Sequence, residues 1–547
     1  MAKPSEHWAS RLGVILAVAG SAVGLGNFLR FPGNAAEHGG GAFMIPYFLA
    51  LVFVGIPIGW AEWAMGRHGG SRGLHSAPAI LGLWAKGALG RYVGVLGVLI
   101  PLGVYFWYVL VESWCLYYFL EYCRGGIGLE ALGSIDEQTA AARNHFVNVT
   151  GQAAHGASFQ GGVHTIVYVL AITIAMNLWF VHRGLSKGIE IVCKYSLPVM
   201  AVLGIAILVR VLTLGTPDPA LPDRNVVNGL GYLWNPDYHE LTHFKTWVAA
   251  TGQIFFSLSV GFGVIVNYAS YMRRRDDVVL SSLTASATNE FFEVVLGGLI
   301  TVTASVVFVG AALTAKSTGS SMSLGFNTLP VVFAHMPAGN LCGAAFFLIL
   351  FLAAITSSLS MLQPSKAFFQ EALGIGNNAA TVIVTVWGVV GNAFVLWYSK
   401  DLNTLDTIDF WVGSFFIMIM AAAQIVAFGW ITGMEKGIAE AHAGAKIHIP
   451  RFFRFVIKYV SPVYLLVIII GFCKEKLPDS IGDDGKTSPG YLSRIVSDPD
   501  TQRTWVFLGI TIAALVLITA LGARRLSTTN GEADLEIETE GAASNDR

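Results

Sequence analysis

The chain has 547 residues, 54% hydrophobic and only 13% charged, with a formal net charge of −1. An average soluble domain is about one quarter charged, so a soluble multidomain protein and a disordered chain are both excluded, and without a basic stripe so is a nucleic-acid binder. One spanning helix needs about 20 apolar residues, and this composition supplies enough for about a dozen.

Apolar runs bounded by polar or turn-rich stretches fall at 12–36, 42–66, 90–122, 163–181, 189–213, 246–271, 278–314, 341–371, 380–398, 408–433, 453–473 and 504–522. They predict twelve helices, the run at 278–314 being long enough to tilt or project. Lys3 and Arg11 ahead of the first run imitate a secretory leader. The run continues past Arg30 and further runs follow, so it is expected to stay as a first span.

Basic residues set the orientation. With the N-terminus inside, inner loops carry Arg67, Arg72, Lys86 and Arg91, then Arg183 and Lys187, then Arg273, Arg274 and Arg275, then Lys436, Lys446 and Arg451. The loop 474–503 runs against the rule, with three Lys and two Arg on the outside. An even number of spans puts both termini in the cytoplasm of a multi-pass protein of the cell's inner membrane. The predicted layout is a cytoplasmic segment 1–10, a transport core 11–433, accessory helices 434–525, and an acidic, Ser/Gly-rich tail 526–547 expected to be disordered.

The loops 124–162 and 214–245 are the longest on the outside, and Asn148-Val149-Thr150 fits the weak glycosylation triplet. Cys115, Cys123, Cys193, Cys342 and Cys473 show no CxxC pairing and read as small apolar fillers or, less often, one external disulfide.

An internal echo points to function. Span 1 contains Ala22-Val23-Gly24-Leu25-Gly26 and span 6 contains Ser259-Val260-Gly261-Phe262-Gly263. Two glycines within three residues cost a helix about 2 kcal/mol. Taken singly, each reads as close helix packing. In corresponding positions of two halves, the pair suggests broken helices at a midplane site in inverted repeats. Polar groups gather in the same spans: Asn27 and Arg30; Gln253, Ser257 and Ser259; Asn289, Glu290 and Glu293; Thr356, Ser357 and Ser358; Tyr108, Glu112 and Glu62. Intramembrane carboxylates face a cavity or a partner, whereas a single Ser or Thr more often bonds back to its own helix.

A broken helix exposes carbonyls at the end of its first half and N–H groups at the start of its second. Carbonyls near Gly20, Ala22 and Val23, carboxamides of Asn27 and Asn289, and hydroxyls of Ser257, Thr356 and Ser357 are neutral hard oxygens, suited to Na+. The N–H groups near Leu25 and Gly26 suit a carboxylate. A sodium ion about 3 Å from that carboxylate gains about 5 kcal/mol at an effective dielectric near 20, enough to couple ion and substrate.

The stretches GSAVGLGNFLRFP at 20–32, GGGAFMIPY at 39–47, GIPIGWAEWAMGR at 55–67, ESW at 112–114, GQIFFSLSVGFG at 252–263, YASY at 268–271, NEFFE at 289–293, TSSLSMLQP at 356–364 and DFW at 409–411 resemble the neurotransmitter:sodium symporter family, most closely its bacterial leucine-transporter branch. The resemblance runs from about Glu6 to span 12. It implies an all-α membrane protein with a LeuT-like fold: twelve transmembrane helices, a 5+5 inverted repeat, and helices 1 and 6 broken at the midplane.

The resemblance also implies roles. One sodium would sit on the carbonyls of Ala22 and Ser257, the side chains of Asn27, Ser257 and Asn289, and the substrate carboxylate. A second would use the carbonyls of Gly20, Val23 and Ala353 with the hydroxyls of Thr356 and Ser357. The substrate backbone would meet Ala22, Gly24, Leu25, Gly26, Tyr108, Phe256 and Ser257. Its side chain would lie among Val104, Phe256, Ser259, Phe262, Ser357 and Met361, without a fixed charge, which favours a neutral amino acid. Tyr108 and Phe256 resemble a lid, and Arg30 and Asp409, with Gln253 nearby, an outer gate. Ser270 and Tyr271 match the inner gate, whose usual arginine is replaced here by Ser5 and whose usual aspartate in span 8 appears as Glu371; Lys3 is a candidate partner for it. Glu293 stands where chloride-dependent relatives have a serine, beside Tyr47, Gln253, Ser257 and Asn289. A built-in carboxylate would make transport chloride-independent, with Glu293 protonated on the empty return step.

Two other classes are weaker. A channel lacks a charge ring or filter loop here, and no GxSxG, HExxH or paired catalytic Asp motif sits in the spans, which argues against an enzyme. A non-transporting amino-acid sensor on the same fold is the remaining alternative. The expected partners are a neutral amino acid, Na+ and the lipid bilayer, and a homodimer is compatible with the reading.

Overall fold

The computed structural model describes Trp8 and residues 10–311, 314, 321–481 and 487–527. Lys3, Ser5 and the tail from residue 528 onward, on which three of the expectations fall, lie outside the described residues.

Every apolar run is helical. Segment 1 is a bent pair, Arg11–Ala22 and Gly26–Glu37, meeting at 44°. Segments 2 to 5 are Gly41–Gly70, Ala88–Cys123, Thr165–His182 and Leu185–Leu212. Segment 6 is also in two pieces, Phe244–Leu258 and Val264–Ala269. Segments 7 to 12 are Val278–Val309, Gly339–Leu373, Asn377–Trp397, Lys400–Ile431, Arg451–Lys476 and Pro499–Leu521. The long run at 278–314 ends as a helix at Val309, where Gly310 turns to φ +86°. It carries an eight-residue π stretch, Phe291–Gly298, and Glu293 lies within it.

Burial separates centre from rim. The most apolar windows of segments 3 and 7 are 89% buried, and that of segment 12 is 28% buried. Segment 3 packs most extensively against segment 8, and the half-helices of segment 1 lie against segments 5, 7 and 8. On the rim, Trp179, Val202, Val386, Leu466 and Leu517 are exposed. Such a surface is stable only against acyl chains, since water would leave these side chains unpaid for. The chain is therefore a multi-pass membrane protein.

The long loops contain helices that periodicity did not announce. Ile135–Thr150 lies within the loop 124–162 and is capped by Ser134, which accepts from Glu137 N. Val226–Trp234 lies within the loop 214–245 and is capped by Asn225. All five cysteines are free, with Cys115, Cys193 and Cys342 buried as fillers, so the external disulfide does not form.

Candidate functional site

The two breaks come from different backbone devices. In segment 6, Ser259, Gly261 and Gly263 take φ of +55°, +75° and +88°. Gly263 has a second constraint: a Cβ there would lie 2.6 Å from Gly97 Cα of segment 3. The N–H freed at Gly261 is taken by a buried carboxylate, Glu62 Oε1, at 3.2 Å. Gln424 donates to the same oxygen at 2.7 Å. Glu62 is thus a positioning group for the break, a role its sequence context did not signal.

In segment 1, Val23 leaves the helix with ψ +92°. The N–H of Gly24 donates to Asn27 Oδ1 at 2.8 Å, and the N–H of Leu25 donates to Tyr108 Oη at 3.0 Å. The donors freed by the break therefore converge beside Tyr108. A Cβ on Gly24 would sit 2.7 Å from Tyr108 Oη and 2.8 Å from Ser357 Oγ. Only a residue without a side chain lets segments 3 and 8 approach this closely.

Around the breaks, the structure brings several members of each expected oxygen set together. In the first, Asn27 Nδ2 lies 2.8 Å from Asn289 Oδ1, and Asn289 Nδ2 lies 2.6 Å from Ser257 Oγ. Ala22 closes the first half-helix. In the second, Ser357 Oγ is 3.1 Å from the carbonyls of Ser21 and Ala353 and 3.4 Å from that of Gly20. Thr356 Oγ1 is 3.0 Å from the Ala353 carbonyl and 3.1 Å from that of Leu352. The back-bonding expected of a lone hydroxyl and the gathering around Gly20 coexist here. Ser259 Oγ also reaches the Ser21 carbonyl, at 3.3 Å. Ser21 was missed because a backbone acceptor leaves no signature in residue type.

Glu293 is the hub of the buried polar cluster. Its Oε1 accepts from Gln253 Nε2 at 2.7 Å. Its Oε2 accepts from Ser257 Oγ, from Asn289 Nδ2 at 3.1 Å and from Asn27 Nδ2 at 3.2 Å. Tyr47 Oη donates to Glu290 Oε2 at 2.8 Å, which brings a second carboxylate to the same region. Glu112 belongs to a separate network: Asn177 donates to it at 3.0 Å, and Ser358 donates to Asn177 at 2.7 Å.

Of the expected side-chain pocket, Val104, Ser259, Phe262, Ser357 and Met361 are buried, as is the expected lid residue Tyr108. The rings of Phe256 and Phe262 meet edge to face at 6.3 Å. Phe256 is half-covered by Arg30, whose guanidinium carbon lies 4.6 Å from the ring centroid. Arg30 donates to Ser414 Oγ at 3.4 Å, and among the described residues Arg30 Nη1 and Asp409 Oδ1 have no hydrogen-bond partner. The two expected outer-gate residues are neighbours without an ion pair. Beyond them lies a cavity of about 1350 Å³ that reaches Asn34, Asp406 and Asp409 and opens among the long loops.

The opposite end is fastened. Trp8 Nε1 donates to the Tyr268 carbonyl at 2.9 Å, and Arg11 pairs with Asp277 at 3.4 Å. Glu371 accepts from the backbone N–H groups of His75 and, at 3.0 Å, Ser76. His75 stacks on Tyr271 with centroids 4.4 Å apart, and its Nδ1 lies 2.9 Å from Ser270 Oγ. Ser76 precedes the helix Ala77–Trp84, so Glu371 serves as its N-terminal anion.

Comparison with known proteins agrees with this geometry. The model of the sodium:neurotransmitter symporter family matches residues 5–127 and 122–483. An uncharacterized sodium-dependent transporter of Methanocaldococcus jannaschii is 27% identical over 96% of this chain and 99% of its own length. The mouse sodium-dependent neutral amino acid transporter B(0)AT1 is 28% identical over 52% of this chain and 44% of its own length. The crystal structure of MhsT in complex with L-phenylalanine superposes with a TM-score of 0.71 at 26% identity, covering 85% of this chain and 99% of that one. Two broken helices, the oxygen sets they gather and a family match over most of its length lead to one conclusion: the chain belongs to the sodium:neurotransmitter symporter family, whose members are transporters and not enzymes.

Proposed function

We propose that this sodium-dependent transporter imports a neutral, mainly hydrophobic amino acid with two Na+ ions, without requiring chloride. The observation that carries the reading is the meeting of the two breaks, where neutral oxygens from segments 1, 6, 7 and 8 lie next to the N–H end of a half-helix. Here Na+ is a co-substrate. Asn27, Ser257 and Asn289, with the carbonyls of Ala22 and Ser257, would hold one ion. Gly20, Val23, Ala353, Thr356 and Ser357 would hold the other.

The substrate carboxylate would take the N–H groups at Leu25 and Gly26 and the Tyr108 hydroxyl. Val104, Phe256, Phe262 and Met361 would receive its side chain, with Ser259 and Ser357 at the edge. No fixed charge faces that side chain, which disfavours Asp, Glu, Lys and Arg as substrates. Met361 lets the pocket fit several aliphatic or aromatic shapes. Support comes from the solved relative that holds L-phenylalanine and from relatives named as neutral amino acid transporters. Glu293 receives the donors that would otherwise hold an anion, which supports chloride independence.

Alternating access would close Arg30 and Asp409 over Phe256 while releasing the contacts of Trp8, Arg11 and Glu371. The cavity side would then be external and the Trp8 side cytoplasmic, a placement that most of the basic loops support, in the inner membrane of a cell. Segments 1–10 would do the transport and segments 11 and 12 would flank them. Reconstituted vesicles with a sodium gradient test the reading. Labelled leucine or alanine should accumulate only with external Na+, with or without chloride, and unlabelled neutral amino acids should compete where charged ones do not. Sodium-independent uptake, or none for any neutral amino acid, would sink it.

A further inference from the structure

The turn that leads into segment 6 reads Tyr238-His239-Glu240-Leu241-Thr242-His243 and forms a 3-10 helix over Tyr238–Thr242. Among the described residues, one group of three metal-ligating side chains comes together: His239, Glu240 and His243, with one ligand atom of each within 4.8 Å of the others. The two imidazoles stand nearly perpendicular with centroids 5.0 Å apart, and His243 Nδ1 lies 3.1 Å from Glu240 Oε2. Asp237 holds the turn by accepting from His239 N at 3.0 Å. Trp247 of segment 6 pins it from the other side by donating to the Leu241 carbonyl at 3.0 Å.

We propose that His239, Glu240 and His243 form a site for a zinc-class divalent cation. Two neutral imidazoles and one carboxylate make a donor set suited to Zn2+, and three protein ligands leave a fourth position for water. Ca2+ and Mg2+ prefer oxygen alone and are disfavoured. The carboxylate is available to a cation. Lys245 is the opposing charge that the site must tolerate. The location gives the ion leverage. Glu240 packs on Gly39, where a Cβ would lie 2.7 Å from Glu240 Cγ, and His243 is the residue before Phe244–Leu258. A bound ion would join the outer ends of both broken segments to one turn.

The test titrates ZnCl2 into tag-free, full-length purified protein against a competing chelator dye. Wild type should bind zinc saturably at micromolar concentration, and MgCl2 should not compete. His243→Gln should weaken binding at least about tenfold, and the His239→Ala/His243→Ala double variant should abolish it, both eluting and unfolding like wild type. His442→Ala, which removes one member of the stacked His442–His448 pair elsewhere, should leave binding unchanged. Absence of saturable binding to wild type, or binding that survives the double variant or follows His442, would overturn the assignment.

Discussion

Gln253 Nε2 donates to Glu293 Oε1 at 2.7 Å, while Gln253 Oε1 accepts from Asn34 Nδ2 at 3.2 Å. Asn34 lines the large cavity, and Glu293 Oε2 receives Asn27, Ser257 and Asn289. One carboxamide thus connects the cavity among the long loops to the polar centre of the molecule. Its orientation is set by a carboxylate that belongs to the chain itself.

That relationship makes Glu293 the first target. A charge about 6 Å from a sodium ion, at an effective dielectric of about 20, is worth roughly 3 kcal/mol, or about a hundredfold in sodium affinity. Glu293→Ser should lose most of that in chloride-free buffer and regain it when chloride is added. Uptake measured against sodium in gluconate and in chloride reads the effect directly. A variant indifferent to chloride would show that the carboxylate does not stand in for an anion.

Asn289→Ala and Thr356→Ala separate the two proposed ions. Asn289 lies 2.6 Å from Ser257 Oγ and 2.8 Å from Asn27. Thr356 sits on the Ala353 carbonyl. Each substitution removes one neutral oxygen ligand, so each should raise the half-saturating sodium concentration by about tenfold, equivalent to about 1.4 kcal/mol. Binding of labelled substrate across a sodium titration is the measurement. Unaltered curves in both variants would remove both assignments.

Gly24→Ala probes the substrate end. The added methyl falls within 2.7 Å of Tyr108 Oη and 2.8 Å of Ser357 Oγ. Tyr108 is held between Leu25 N–H and packed neighbours and cannot retreat freely. Substrate affinity should drop by at least about tenfold. Thermal unfolding should also move down, because forcing a methyl against two buried side chains costs about 1–3 kcal/mol, so affinity is compared per folded molecule; unchanged affinity would remove Gly24 from the substrate site.

The sequence carried the spans, both breaks and the residues around them, because apolar length, glycine pairs and intramembrane polar residues are all signals of residue type. It did not carry what depends on backbone atoms meeting across segments. The Ser21 carbonyl, the capping of Gly261 by Glu62 and the seating of Glu371 on His75 and Ser76 are of that kind. The helices in the long loops were hidden for another reason. Ile135–Thr150 is mostly polar, and only its serine cap marks its start.

Arg67 ends segment 2 with a fully buried side chain. It donates to the carbonyls of Asp276 at 2.6 Å, Ala443 at 2.5 Å and Glu440, and pairs with the Glu440 carboxylate at 2.9 Å. Arg67→Met should cost about 3 kcal/mol, because it strands a partly buried carboxylate and buried carbonyls. Burial alone would raise the Glu440 carboxyl, but His68 and Arg67 outweigh it and hold the group below its ordinary 4.5. A depressed carboxyl stabilises fully above the unfolded value and loses that stability as pH falls through the folded value. The gap in unfolding temperature between wild type and Glu440→Gln should therefore be constant near neutrality and shrink in acid below the ordinary value. A gap unchanged in acid would mean that the pairing contributes nothing.

Glu371 offers the sharpest test of the proposed inner gate. Its carboxylate anchors the loop before Ala77–Trp84 through the N–H groups of His75 and Ser76, and the ring of His75 in turn covers Tyr271. Hydrogen bonds to a charged group contribute about 1.5–3 kcal/mol each, so Glu371→Ala should shift the population toward the inward-open form by at least about tenfold. Cys193 reports the shift, because it is buried beneath the first half of segment 1, with its Sγ 2.8 Å from where a Gly20 Cβ would fall. With Cys123 and Cys473 replaced by serine, a polar thiol reagent should label Cys193 slowly in the parent. The same reagent should label it at least about tenfold faster in Glu371→Ala, and external sodium should slow both. Equal labelling rates would mean that the first half of segment 1 is held by Trp8 and Arg11 alone, and that Glu371 serves the loop rather than the gate.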